Sequence, residues 1–150
     1  MNTVSNRPIL ADLVLFLGRL LLAFIFLHEG TSLATNMTAT IATFAKLGLF
    51  APVAIATIAL QIGAGLSLAI GLLSRFGAVA LAFFCVATAL LFHTNFTRQN
   101  ELLHFEKDLA IAGGMFVLMV RGAGKWTVDS LLRPAGAASQ MAEAQPGEAI

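Results

Sequence analysis

The amino-acid sequence predicts an all-α fold: a transmembrane four-helix bundle with an amphipathic lid segment on the outer face and a short interfacial helix near the C-terminus. Three observations carry that prediction. Four long apolar stretches occupy most of the 150 residues, each close to the roughly 20 residues that a helix needs to cross a hydrocarbon core of about 30 Å. Only 11% of residues are charged against 58% hydrophobic, and mean hydropathy is +0.86, too little charge to wet the surface of a soluble domain of this size. The basic residues also divide by side. Arg7 precedes the first stretch, Arg75 lies in the short turn between the second and third, and Arg121, Lys125 and Arg133 follow the fourth. The positive-inside rule then places the N and C termini in the cytoplasm.

Segment one, about residues 9–28, carries Asp12 and Arg19 and is not followed by a small-x-small cleavage site, so it is a span and not a cleavable signal. It ends at His28-Glu29-Gly30. Thr31 to Thr43 is rich in Thr and Ala, with Met37, Ile41 and Phe44 at helical spacing, which predicts the outer-face lid. Gly48 and Pro52 mark the turn into segment two, about 52–73, where Gly63, Gly65, Ser67 and Gly71 allow a neighbouring backbone to approach closely. Segment three covers about 76–93. Segment four, about 105–121, reaches spanning length only with Phe105 to Asp108 included, and its Ala112, Gly113 and Gly114 predict tight packing on segment two. A glycine turn then leads to Trp126, and Trp126 to Leu132 is expected to form a surface helix. The transmembrane domain is thus assigned to residues 1–133. From Pro134 the composition of Ala, Gly, Pro, Gln and Glu predicts a disordered cytoplasmic tail, 134–150. Gln61 precedes Arg75 by the interval at which Lys107 precedes Arg121, a faint trace of duplication.

Several function classes drop out early. The single cysteine, Cys85, forms no CxxC pair or disulfide framework and reads as a helix-packing residue. A net charge of +1 with no basic run gives no footprint for nucleic acid.

Function is therefore sought among the intramembrane polar residues. Arg19 falls near the middle of segment one, where an unpaired guanidinium costs several kcal/mol, so it must face the interior or a wet cavity. Either it bonds helix carbonyls, Gln61 or Asp12 and only fixes packing, or Arg19 and Gln61 donate to the head group of a quinone or another lipid-soluble ligand. A second polar group gathers at the outer ends. His28 and His93 are candidates for a proton relay, and Lys107 with Asp108 for a ligand-binding charge pair. His104 and Glu106 read as ordinary helix-end polar residues. Three histidines and nearby glutamates permit a metal, and His28 with His93 permits haem, but no HxxxH or CxxCH spacing supports either. No intrinsic cofactor other than a quinone is therefore expected.

Gly18-Arg19 through His28, Phe44 to Pro52, Gly65 to Arg75, Lys107-Asp108 through Gly113-Gly114, and Gly122-x-Gly124-Lys-Trp-Thr-Val-Asp129 together resemble the DoxX family of small four-helix membrane proteins, over about residues 15 to 131. Two positions depart from it: Gln61 stands where such proteins often carry an acidic residue, and Leu33 lies where a Lys commonly follows the segment-one His. The resemblance implies a bacterial inner-membrane protein associated with thiosulfate-to-quinone electron transfer or with oxidative-stress complexes. Its expected partners are the bilayer, a soluble redox or oxidative-stress protein, and a second copy of the chain. The competing expectation is a non-enzymatic scaffold that recruits a soluble partner through the lid or the surface helix.

Overall fold

The structure is a computed structural model that describes residues 7–132; the tail expected from Pro134 lies outside the described residues. Six helices follow in order: α1 (Arg7–Thr35), α2 (Met37–Lys46), α3 (Ala51–Ile70), α4 (Ser74–Phe92), α5 (Gln99–Arg121) and α6 (Val128–Leu132). No strand occurs among the described residues.

The first helix does not stop at His28. Gly30, read from the sequence as a terminator, is buried against α3, and a Cβ there would lie 2.8 Å from Ile62 Cγ1 and 3.3 Å from the Ile62 backbone nitrogen. Its missing side chain serves close approach between helices, so α1 runs on to Thr35. The hydroxyls of Thr31 and Thr35 donate back to the carbonyls of Leu27 and Thr31 at 2.7 and 3.0 Å, removing two polar groups from competition with the helix. After Asn36, α2 folds against α3 and the end of α1. Thr40 is the buried residue of α2, and its hydroxyl donates to the Leu33 carbonyl at 3.0 Å.

Pro52 sits in the first turn of α3, where a missing N–H is tolerated. The helix ends at Gly71, whose φ of 74° is the left-handed value favoured at a C-cap, with the N–H groups of Gly71 and Leu72 both donating to the Ser67 carbonyl. Leu73, also left-handed at φ 51°, completes the reversal into α4.

The closest pairs are α4 with α5 and α1 with α3, followed by α3 with α4. The expectation that segments two and four pair is therefore corrected. The small residues of α3 are spread around the helix: Gly65 receives Leu27 of α1, while Ala64 and Ser67 receive Gly77 of α4. Gly114 of α5 faces Leu22 of α1. The core between them contains Ala23, Phe26, Leu68, Leu81, Cys85 and Met115.

Among the described residues three helices, α1, α3 and α4, are long and apolar enough to cross a membrane. Outward Leu21, Phe24, Phe76, Phe83 and Leu91 remain exposed, an apolar surface suited to lipid and not to water. The fifth helix is long enough, about 35 Å for its 23 residues. It opens at Gln99, upstream of the expected Phe105, and its N-terminal half carries Glu101, Glu106, Lys107 and Asp108. This sets it apart from the three apolar spans.

Candidate functional site: a polar cavity at one end and a basic knot at the other

The antiparallel register of α1 and α3 decides where each polar residue lies. Gly30 meets Gln61 and Ile62, Gly65 meets Leu27, and Gly71 meets Arg19. Arg19, inside the apolar span Ile9–Thr35 of α1, consequently lies level with the α3–α4 turn. Its side chain is only 1% exposed. Nη1 donates to the Ala123 carbonyl at 3.2 Å and Nη2 to the Trp126 carbonyl at 2.8 Å, and the guanidinium carbon lies 5.4 Å from the Phe16 ring centroid. Both acceptors belong to the turn between α5 and α6, where Gly122 and Gly124 take φ of 75° and 78°. Asp129 closes the knot: its carboxylate accepts from the Leu73 N–H at 3.0 Å, and its own N–H donates to the Gly71 carbonyl at 3.3 Å. Asp12 is engaged elsewhere, accepting from the Lys125 N–H at 3.4 Å.

Gln61 occupies the other end, about 16 Å from Arg19 along α1 at 1.5 Å per residue. The structure therefore does not bring the two expected head-group donors together. Gln61 instead lines a cavity of about 270 Å³ between α1, α3, α4 and α5, shared with Glu29, Thr88, His93, Lys107 and Asp108. Gln61 is 7% exposed, and its Oε1 has no hydrogen-bond partner among the described residues. Buried polar atoms are nearly always paired, so an orphan acceptor on a cavity-lining residue is an exception that calls for a donor.

Opposite Gln61, the Thr88 hydroxyl lies 3.0 Å from Asp108 Oδ2 and donates within a cluster that also includes the Phe84 and Cys85 carbonyls. Lys107 does not pair with Asp108. Consecutive helical residues point about 100° apart, and the Lys107 ammonium instead lies 3.3 Å from His104 Nδ1. His28 and His93 also part company. His28 is exposed beside Phe24 on α1, ring centroids 6.0 Å apart, whereas His93 Nδ1 lies 2.8 Å from Glu101 Oε2 and its ring stacks on His104 at 5.1 Å. The hydrogen bond from His93 holds the Glu101 carboxyl below its usual range, outweighing partial desolvation. His93 is thus grouped with Glu101 and His104 at the cavity's edge and not with His28.

Thr88 and Glu101 were not singled out from the sequence. A helical threonine ordinarily bonds its own preceding turn, and Glu101 lay upstream of the expected start of segment four. The one available signal was Thr88 standing one turn after Cys85 on the same face.

Apolar spans surrounding a small polar cavity define an integral membrane protein. The DoxX family model matches residues 14–94, covering most of α1 and all of α2, α3 and α4. The chain is 32% identical over 123 residues to Inner membrane protein YqjF of Escherichia coli (strain K12), covering 82% of this chain and 95% of that protein. It is 25% identical over 132 residues to Inner membrane protein YphA of the same organism, covering 83% and 91%. No solved structure matches. The chain belongs to the DoxX family.

Proposed function

We propose that this DoxX-family protein is the membrane subunit of a redox or oxidative-stress assembly, and that its cavity takes the ring of a quinone or quinol. The observation that carries this reading is the buried, unpartnered Oε1 of Gln61, a residue that lines the cavity. An acceptor held dry is satisfied by a ligand that brings a hydroxyl, as a quinol does, and the amide nitrogen of the same side chain can donate to a quinone carbonyl. At about 270 Å³ the cavity falls just below the usual range of about 300–1,000 Å³ for small-molecule sites. That size suits a single ring. Lys107 supplies a positive charge beside the cavity, favouring a partly reduced oxygen, while His93 and Glu101 connect its edge with water.

The electrons are assigned to a soluble redox partner. Both Escherichia coli relatives are named inner membrane proteins, which supports the same location here. In this reading α5 from about Phe105 onward is the fourth crossing, with Lys107 and Asp108 lining the cavity and both termini cytoplasmic.

Binding of a short-chain ubiquinone analogue and its quinol to the full chain in lipid nanodiscs tests the proposal. Loss of one buried hydrogen bond in Gln61→Leu is expected to weaken quinol binding about tenfold. Equal binding by wild type and variant would exclude Gln61 as a ligand-binding group. An empty cavity in a protein held to a stoichiometric soluble partner would favour the scaffold.

A further inference from the structure

The end of the molecule opposite the Gln61 cavity contains a larger groove, about 390 Å³, between the α3–α4 turn and the α5–α6 turn. We infer that this groove seats the phosphate of an anionic phospholipid, with its acyl chains lying along the adjoining apolar face of α4. Three cations line it, Arg75, Arg121 and Lys125, against one carboxylate, Asp129. That carboxylate already accepts the Leu73 N–H. Arg75 and Arg121 have no ion pair or hydrogen-bonded side-chain partner among the described residues, and Lys125 is only loosely approached by Asp12 at 3.9 Å. Clustered cations repel one another unless a counter-charge joins them, so their convergence points to an anion.

The groove is built into the turn. Gly122, at φ 75°, lies against the Arg75 guanidinium so closely that a Cβ would stand 3.2 Å from Nε and 3.3 Å from Nη2. α4 begins at Ser74 in the same wall, so the positive end of its helix dipole adds to the groove beside the Asp129 carboxylate that holds the Leu73 N–H.

Lipid, and not free phosphate, is favoured by what borders the cations. Leu73 and Phe76 line the groove yet are 60% and 75% exposed, continuing the outward apolar surface at the level where a head group meets its chains. Basic pockets between membrane helices bind anionic head groups on this principle. The interval shared by Gln61 to Arg75 and Lys107 to Arg121 now has a spatial meaning: one member of each pair lines the inter-helix cavity and the other lines the groove.

Native mass spectrometry of the full chain, incubated with equal phosphatidylglycerol and phosphatidylcholine in detergent, tests the inference. Phosphatidylglycerol should be retained preferentially, with retention falling about fivefold in Arg75→Gln and again in Arg121→Gln, at about 1 kcal/mol for each basic residue near a head group. Arg75→Lys and Lys46→Gln, the latter at the end of α2, should retain it. Thermal unfolding confirms that each variant is folded. Equal retention of the two lipids, or unchanged retention in the double variant Arg75→Gln/Arg121→Gln, would overturn the inference. Displacement of phosphatidylglycerol by millimolar inorganic phosphate would overturn the lipid assignment in favour of a soluble anion.

Discussion

Replacing Arg19 with alanine should destabilise the protein by about 2–4 kcal/mol. The side chain makes two hydrogen bonds from a charged donor, at 3.2 and 2.8 Å, each worth about 1.5–3 kcal/mol, for a gross loss of about 3–6 kcal/mol. Part is offset because the variant no longer desolvates a guanidinium whose Nε has no partner. The remainder leaves the Ala123 and Trp126 carbonyls without their donor and frees the α5–α6 turn from α1. Trp126 is the single tryptophan and packs edge-on against Phe16, ring centroids 5.6 Å apart. Its fluorescence during dodecyl-sulfate unfolding in mixed micelles reports both stability and the state of the knot. Arg19→Ala should unfold at lower detergent fraction with altered Trp126 emission in the folded state, while quinol affinity of the folded fraction stays unchanged. A loss below about 1 kcal/mol with unaltered emission would refute the structural role derived for Arg19.

Gly71→Ala should be more harmful than Gly48→Ala, although both residues take a left-handed φ near 75°, where a Cβ alone costs about 1–2 kcal/mol. At Gly48 nothing lies within 4 Å of the added carbon, whereas at Gly71 it would meet Arg19 Nη1 and Thr127 Cβ at 2.6 Å; unfolding midpoints of the two variants check the order. Glu101 titrates below its ordinary value because His93 donates to it, so the unfolded chain binds more protons than the folded one in the acid range. Its contribution is therefore complete above the usual carboxylate pKa and fades as pH falls through the lowered value. Glu101→Gln should flatten that part of a stability–pH curve. Gln61→Leu should leave the empty protein at least as stable as wild type, gaining about 1 kcal/mol as a buried orphan acceptor is removed, which the same unfolding assay measures.

The helical character and the apolar spans were legible because hydrophobic runs of membrane-crossing length admit few other structures. Boundaries were less so. Gly30 looks like a stop signal in one dimension, but its meaning depends on Ile62 across the interface. The partners of the polar residues were hidden for the same reason. Arg19 reaches carbonyls more than a hundred positions away in the chain, and backbone acceptors leave no trace in residue identity. Gln61, Lys107 and Asp108 were identified as residues to watch, and the structure brings these three to one cavity. The motif Gly122 to Asp129, quoted for family resemblance, proves to be the scaffold of the knot and groove.

The most direct test is native mass spectrometry of the protein gently extracted from its own membranes, beside Gln61→Leu prepared identically. A quinone- or quinol-sized adduct on the wild type, depleted in the variant while the fold is retained, is the predicted result. An adduct equally retained by Gln61→Leu, or a wild-type cavity that stays empty whenever a soluble partner is bound, would contradict it.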